Sequence, residues 1–365
     1  MRKERRSYAA SFAVLIVVLA VVAVAAVAFA VGRSGRGDSP EAGPSARSAP
    51  RTVEPSAEPS VEASAEPSAS VEGSSSPEAS PGRKIVIHAA GDTSLDPDFI
   101  STYRAEGYGY AWSGLDGLFE NDDLSIVNLE CAVSEKGSPV PKDFNFRGDP
   151  RALPAMRKAG VDVASLANNH AYDFGPEALV DTVGNLRDAD ITPVGAGKDD
   201  VEAEAPAVFN VEGWRIAVVA WDAVVDPWPT AVAAPGHPGV AFGHDFNAVV
   251  RTVRSVSRRA DLTIVQTHWG VELDTAPESF QIPQAHELIQ AGADMIFGGH
   301  SHRVQPLDIY KGRPIFWSLG NFVWPNFSSA GATTGVAEVT VLPNGNIKAR
   351  LLPAYITSPG HPVLR

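Results

Sequence analysis

The chain has 365 residues, a formal net charge of -13 at pH 7 and one cysteine. This acidic balance argues against nucleic acid or an anionic lipid surface as a partner, although it leaves open a polyanion that binds through metal ions. A single cysteine cannot form an internal disulfide, so a folded domain here must be stabilised by packing, with or without bound metal.

A basic flank and a long apolar stretch open the chain. Residues 1–7 read MRKERRS, and residues 8–31 carry no charged side chain. At about 1.5 Å per helical residue, this stretch can cross a hydrocarbon core of roughly 30 Å. The flank predicts a cytoplasmic amino terminus and a single-pass transmembrane anchor in the cell membrane, with the rest of the chain on the extracytoplasmic side. A cleaved signal peptide is the alternative, because the tripeptide Ala-Phe-Ala at 28–30 resembles a cleavage site.

Residues 32–83 differ in composition from the rest of the chain. They are dominated by Ser, Pro, Ala, Glu and Gly, repeat the motif SAEPS and contain no aromatic residue. Such a segment cannot bury enough apolar surface to offset the entropy lost on ordering, so we expect a disordered linker. The remaining residues, 84–365, are enough for one large domain with its own core.

Helix-like stretches alternate with apolar runs of strand length in this domain. The pattern predicts helices over residues 151–159, 176–189, 249–259 and 283–291. The repeated helix–strand order indicates an α/β domain with a parallel or mixed sheet. Near the carboxyl end, Asn344 and Gly345 lie between two strand-like runs, which is typical of a β-hairpin. Two packed sheets covered by helices would accommodate both features.

Six of the apolar runs end in residues that bind metals or move protons. These residues are Asp92, Glu130, Asn169 with His170, His268, His300 with His302, and Asn321. Ligands and catalytic groups collect at the carboxyl ends of strands in α/β sheets, so we expect one converging site. Imidazole nitrogen and carboxylate oxygen suit a divalent cation. Taken singly, several positions have plainer explanations, such as a turn-capping Asp92 or a hydrogen-bonded core His268.

The sequence also favours one chemistry over others. It contains no Gly-x-Ser-x-Gly elbow, P-loop or dinucleotide fingerprint. A cluster of carboxylate, Asn and His at a sheet edge instead matches metal sites that activate water. Asp173, three residues after His170, could hold that imidazole in one tautomer.

Eight stretches of the domain resemble a known family in order and spacing. They are AGDTSLD, IVNLECAVSE, FNFRGDP, ASLANNHAYDFG, VGAGKD, THWGVEL, GGHSHRVQP and PIFWSLGNFVW. The pattern resembles the CapA family, named for poly-γ-glutamate capsule synthesis, which is similar in fold to the calcineurin-like metallophosphoesterases. The resemblance implies a four-layer αββα sandwich, with residues 84–365 as its metallophosphoesterase-fold domain.

The same resemblance implies a set of site residues. It assigns one divalent metal to Glu130, Asn169, His268 and His300, and a second to Asp92, Glu130 and His302. His170 would be the proton donor or transition-state stabiliser with Asp173 beside it, and Asn145 and Arg147 would contact an anionic substrate. The metals that this resemblance implies are one or two ions of Mn, Fe or Zn.

Two positions depart from the phosphatase pattern. Ser94 stands where the first phosphatase motif carries a ligand His, and Glu130 replaces the usual Asp. The second metal is therefore short of a ligand, for which Asp96 could compensate.

The family implies a part in the synthesis, release or anchoring of a cell-surface polymer such as poly-γ-glutamate, through a metal-dependent hydrolase-type site. The expected partners are an anionic polymer or its precursor and membrane synthesis or export subunits, and not nucleic acid. A non-catalytic protein that uses metal to hold the polymer or to scaffold an export complex is the alternative. A secreted metallophosphoesterase unrelated to capsule is a third possibility.

Overall fold

The computed structural model describes residues 83–224 and 231–365. The predicted anchor at 8–31 and the predicted linker up to residue 82 lie outside these ranges. Within the two described ranges, no helix is both long enough and apolar enough to cross a bilayer.

Seventeen strands are found in the described residues. They are β1 Ile85–Thr93, β2 Leu124–Leu129, β3 Ala132–Val133, β4 Arg147–Gly148, β5 Val163–Ser165, β6 Thr192–Val194, β7 Ala196–Gly197, β8 Ala207–Val211, β9 Trp214–Asp222, β10 Gly239–Val240, β11 Leu262–His268, β12 Met295–Gly299, β13 Leu307–Tyr310, β14 Arg313–Phe316, β15 Thr333–Val341, β16 Ile347–Ser358 and β17 His361–Leu364.

The helices of the same residues are mostly short. They are α1 Thr102–Glu106, α2 Leu153–Lys158, α3 Gly175–Asp188, α4 Asp200–Ala203, α5 Phe246–Ser257, α6 Gln281–Ala291 and α7 Ser329–Ala332, with 3-10 helices at Tyr108–Leu115 and Pro150–Ala152. The four helices expected from the sequence correspond to α2, α3, α5 and α6, with ends that differ by up to three residues.

Most strands belong to two mixed sheets. The larger sheet has the order β17-β16-β15-β1-β2-β5-β6, and the smaller has the order β13-β14-β12-β11-β9-β8. In the larger sheet β1, β2, β5 and β6 are parallel, whereas β15 to β17 are antiparallel. The expected hairpin joins β15 to β16, and Gly345 in its turn has a φ of 78°, which glycine adopts without a Cβ penalty. The α/β class with two mixed sheets is confirmed.

One apolar core lies between the two sheets. It joins Ile87 and Ile126 of the larger sheet to Ile264 and Phe297 of the smaller one. Each such side chain contributes about 1.5–3 kcal/mol when it is removed from water. This core fixes the carboxyl ends of β1 and β2 beside those of β11 and β12.

Helices cover the other faces of the sheets. In α3, Leu179, Val183 and Leu186 recur at helical spacing and pack in one cluster with Val127 of β2. On the smaller sheet, Val253 of α5 packs in a separate cluster with residues of α6, β11 and β12. The helices therefore hold the sheets from outside and leave the shared carboxyl edge to loops.

Candidate metal centre

Three strand ends bring Asp92, Glu130 and His268 together. One ligand atom from each residue lies within 4.8 Å of the others, and all three residues are buried. Asp92 comes from β1 and Glu130 follows β2, so both belong to the larger sheet, whereas His268 ends β11 of the smaller sheet. The group therefore forms where the two sheets meet.

Glu130 is a buried carboxyl without a hydrogen bond. Within the described residues neither of its side-chain oxygens has a partner, and Oε1 lies 3.5 Å from Nε2 of His268 and 4.0 Å from Nε2 of His170. Burial, and then the charge of Asp92, raise the pKa of Glu130 well above its ordinary value. A bound cation would offset the cost of burying this carboxylate, so the side chain fits a metal ligand.

His268 offers a neutral nitrogen to the same space. Its Nε2 lies 2.9 Å from Oδ1 of Asn169. Burial, and then the neighbouring His300, lower the pKa of His268 well below its ordinary value. The neutral imidazole is the form that ligates metal, and an amide oxygen beside it can ligate as well.

His300 and His302 follow β12 in an unusual backbone conformation. Their φ angles are 87° and 53°, a region that costs a non-glycine residue about 1–3 kcal/mol and is found at functional sites. Nδ1 of His300 is buried without a hydrogen bond to any described residue. Burial is the main reason that the pKa of His300 falls to about 4. This imidazole is therefore a further candidate ligand.

His302 has a different environment. Its Nδ1 lies 3.0 Å from Oδ2 of Asp92 and 2.9 Å from Oδ1 of Asn321, and its ring stacks on Trp324. Burial lowers the pKa of His302, but the hydrogen bond with Asp92 and the charge of that carboxylate outweigh it and raise the pKa above the ordinary value. In this structure His302 pairs directly with Asp92.

His170 and Asp173 form a pair beside Glu130. Nδ1 of His170 lies 2.8 Å from Oδ2 of Asp173, which also accepts the Phe146 N–H at 2.7 Å. Burial lowers the pKa of His170, and Asp173 opposes this effect. The pairing leaves Nε2 of His170 as the nitrogen nearer the metal group, at the distance from Glu130 given above.

The structure does not support the expectation that Asp96 compensates for Ser94. Both carboxylate oxygens of Asp96 accept backbone N–H groups, from Asp98 at 2.8 Å and Phe99 at 3.2 Å on Oδ1 and from Arg147 at 2.8 Å on Oδ2. Ser94 accepts the Asp96 N–H at 3.3 Å through its hydroxyl. These two residues shape a turn, and a ligand role for Asp96 stays a prediction.

Asn145 lies in the loop before β4, and Arg147 is the first residue of that strand. Nη1 of Arg147 donates to the carbonyls of Ser134 and Lys136 at 2.7 and 2.8 Å, and the guanidinium lies 3.7 Å from the ring centroid of Phe174. The Asn145 amide donates to the Val140 carbonyl at 3.2 Å. Neither side chain contacts the metal group through a hydrogen bond or ion pair among the described residues, so their role as substrate contacts stays a prediction.

Three residues that the sequence analysis did not assign to the site also take part, and Asn321, which it placed there without a specific role, has a defined contact. Asn128 donates to Oδ1 of Asp92 at 2.8 Å and lies 3.1 Å from Nδ1 of His268, and Asn168 donates to Asn128 at 3.1 Å. Asn321 contacts His302, as described above, and Lys142 reaches Asp173. A signal for Asn128 was present, because it is a polar residue in the fully buried strand β2.

Comparison with known proteins gives consistent matches. The model of the family described as Bacterial capsule synthesis protein PGA_cap matches residues 86–326. The chain is similar to the capsule biosynthesis protein CapA of Bacillus anthracis, with 28% identity over 281 residues that cover 75% of this chain and 68% of the relative. It is also similar to a probable polyglutamine synthesis accessory protein of Mycobacterium tuberculosis, with 33% identity over 228 residues, or 59% of each chain.

Two solved structures are similar to the chain as well. One is a putative 5'-nucleotidase from Staphylococcus aureus, with a TM-score of 0.49 and 16% identity over 74% of this chain and 54% of the other. The other is an NAD nucleotidase from Haemophilus influenzae, with a TM-score of 0.48 and 15% identity over 74% of this chain and 56% of the other. The chain therefore spans little more than half the length of either.

Proposed function

This chain belongs to the family of bacterial capsule synthesis proteins, and from that membership we propose that it is a metal-dependent hydrolase acting on a cell-surface polymer such as poly-γ-glutamate or on its precursor. The observation that carries the proposal is the Glu130 carboxyl, which is buried without a hydrogen bond in a group with Asp92 and His268. A core residue that served only packing would not be an acid without a hydrogen bond.

The donor set suits a divalent cation. Carboxylate oxygen from Glu130 and Asp92, amide oxygen from Asn169 and imidazole nitrogen from His268 and His300 match Mn, Fe or Zn. Such an ion, when bound, would lower the pKa of water and polarise the oxygen of a phosphoryl or acyl group. We propose one tightly held ion, because His302 is paired with Asp92 and Ser94 replaces a ligand.

The remaining residues act on the proton and on orientation. Asp173 accepts from Nδ1 of His170 and so directs Nε2 of that imidazole toward the metal group. A proton on Nε2 would pass to the oxygen or nitrogen of the leaving group. Burial holds the pKa of His170 below its ordinary value, which eases this transfer because it makes the protonated ring a stronger acid. The four-layer arrangement of metallophosphoesterases is part of the same proposal.

The cellular setting follows from the sequence and from the names of the relatives. The proteins named for capsule and for polyglutamine synthesis support a place in a polymer-producing complex, with membrane synthesis or export subunits as partners. The apolar stretch at 8–31 supports a single-pass anchor in the cell membrane that leaves the domain on the extracytoplasmic side.

A non-catalytic role is the second candidate. The pairing of His302 with Asp92 and the loss of the first-motif His both favour a centre that binds one metal without turnover. In that case the metal would hold an anionic polymer or scaffold an export complex.

The two candidates differ in one experiment. The full chain would be loaded with Mn²⁺ or Zn²⁺ and assayed on phosphodiester and γ-glutamyl substrates. His170→Ala would be assayed in the same way. His286→Ala is the control, because the imidazole of His286 belongs to α6 and stacks on Tyr310. We expect turnover that disappears in His170→Ala, with metal retained, and persists in His286→Ala. Bound metal without turnover on any substrate would favour the scaffold.

A further inference from the structure

Lys142 is a largely buried lysine in the loop between β3 and β4. Its side chain is 12% exposed, and its Nζ lies 2.9 Å from Oδ1 of Asp173. The same Nζ donates to the main-chain carbonyl of Asn169 at 2.5 Å. Removing a cationic side chain from water is costly unless its partners are well placed, so these two contacts account for the position of Lys142.

The two contacts lead to two different parts of the candidate centre. Asp173 uses its other oxygen to hold His170, whereas Asn169 places its amide oxygen beside Nε2 of His268. One ammonium group therefore touches the partner of the proton carrier and the peptide of a candidate metal ligand.

The surrounding loop holds the lysine in place. The Val140 N–H donates to the Asp173 carbonyl at 2.9 Å, and the Phe146 N–H donates to the Asp173 carboxylate. These bonds fix the chain on both sides of Lys142. The contacts of Arg147 with the 134–137 carbonyls tie down the end of the same loop.

We propose that Lys142 is a positioning residue that joins the His170–Asp173 pair to the Asn169 ligand, so that metal binding and the placement of the proton carrier depend on one another. The proposal rests on the proposed metal centre. Without the ammonium, the main-chain carbonyl of Asn169 would lose a hydrogen-bond donor. Asp173 would lose its cationic partner, which is not itself a candidate metal ligand. Loss of a group that orients a ligand costs about 10–100-fold in metal affinity.

The test separates the charge of Lys142 from its bulk. In a Lys142→Cys variant of the full chain, the new thiol would be aminoethylated to restore an ammonium of similar reach, or carbamidomethylated to give a neutral side chain. The native Cys131 does not interfere, because it is buried and burial raises the pKa of its thiol to about 12. Lys136→Met is the matched control, since Lys136 pairs with Asp181 at 2.6 Å on the surface of the same chain segment.

Two readouts do not require turnover. The affinity for Mn²⁺ is measured by titration, and the ring of His170 is followed by nitrogen NMR with and without metal. We expect the carbamidomethylated protein to bind Mn²⁺ at least about tenfold more weakly than the aminoethylated one. We also expect the His170 ring of the carbamidomethylated protein to populate more than the one tautomer with the proton on Nδ1. Lys136→Met should match the natural chain in both Mn²⁺ affinity and the His170 spectrum.

The outcomes are distinct. Equal affinities and equal His170 spectra in the two alkylated forms, with both folded by thermal unfolding, would overturn the proposal for Lys142. Absence of Mn²⁺ and Zn²⁺ binding in the natural chain would instead overturn the proposed metal centre. Because both forms derive from the same Lys142→Cys variant, a loss of stability caused by that substitution would not affect the comparison.

Discussion

Nδ1 of His302 and Oδ2 of Asp92 lie 3.0 Å apart in a buried contact that links the end of β1 to the loop after β12. In a two-metal centre these side chains would each ligate the second cation, and here they contact each other. We therefore expect this centre to hold one ion and not two.

The first prediction concerns metal stoichiometry. We expect about one tightly bound ion per chain by elemental analysis after dialysis, because Asp92, Glu130 and His268 form the candidate group and His302 contacts Asp92. His302→Asn should keep that ion, whereas His268→Asn should lose it. Two ions in the natural chain, with one lost in His302→Asn, would contradict the one-metal assignment.

Glu130→Gln should have opposite effects with and without metal. In the metal-free protein, the amide removes a buried carboxyl without a partner and should raise the free energy of unfolding by about 1–3 kcal/mol. Because the pKa of Glu130 is raised in the folded state, the charged carboxylate opposes folding. The stability that Glu130→Gln gains over the natural chain therefore grows as pH rises above the ordinary value of 4.5. With Mn²⁺ present, the natural chain should gain stability that Glu130→Gln does not. Thermal unfolding with and without Mn²⁺ measures both stability changes. If the metal-free Glu130→Gln protein is less stable than the natural chain, the buried carboxyl does not destabilise the fold.

Asn128→Ala should weaken metal binding without removing a ligand. The amide holds Asp92 and contacts His268, so its loss should lower Mn²⁺ affinity about 10–100-fold by titration calorimetry. A matched change in another buried amide is Gln281→Ala, whose side chain accepts the Glu278 N–H away from the site. That variant should bind Mn²⁺ like the natural chain, and equal losses in both would indicate a general effect on folding.

Gly299→Ala should disturb the centre by volume alone. A Cβ at this position would lie 2.7 Å from Oδ1 of Asp92 and 3.3 Å from Nδ1 of His268. We expect at least about a tenfold loss of metal affinity, because a misplaced carboxylate no longer meets the other ligands. Gly184→Ala in α3 is the control, since no atom lies within 4 Å of its added Cβ. It should raise stability by roughly 0.5–1 kcal/mol and leave metal binding unchanged.

Asp149 predicts a pH dependence of stability away from the metal centre. Hydrogen bonds from Arg151 lower the pKa of Asp149 to about 2 although its partial burial acts the other way, and Tyr108 also donates to it. The unfolded chain therefore binds more protons between about pH 2 and 4, so this contribution is present above the ordinary value of 3.8 and is lost as pH falls toward 2. Urea unfolding should show Asp149→Asn less stable than the natural chain at neutral pH and equal to it near pH 2. If the natural chain is still more stable than Asp149→Asn near pH 2, the lowered pKa does not belong to Asp149.

The sequence could predict the candidate ligands that end strands. Asp92, Glu130 and His268 each follow an apolar run, and the rule that parallel strands share a carboxyl edge brings them to one place. The spacing also identified the His170–Asp173 pair, since Asp173 is the third residue after His170 in one turn. Local periodicity and turn residues were likewise enough for the main helices and the hairpin between β15 and β16.

Contacts that depend on loop paths and on pairing between distant strands could not be predicted in this way. Arg147 has the chemistry of an anion contact, but the backbone carbonyls of the preceding loop bind its guanidinium. Asn321 was expected at this edge, but its contact with His302 depends on the pairing of its backbone with Asp92, far away in the sequence. Lys142 reaches the centre because its loop folds over Asp173, which no spacing in the sequence indicates.

The pairing of β1 with β15, in which Ile85 lies opposite Val341, sets an order of events during biosynthesis. A nascent chain that has exposed Asp92 and Glu130 still lacks His268 and His300, and its first strand lacks a neighbour on one side. The centre can form only after nearly the whole domain has emerged and both sheets have docked. At the proposed metal centre, a bound ion would thus mark a polypeptide that has been made through β12, whereas a chain that stops earlier would lack part of the ligand set.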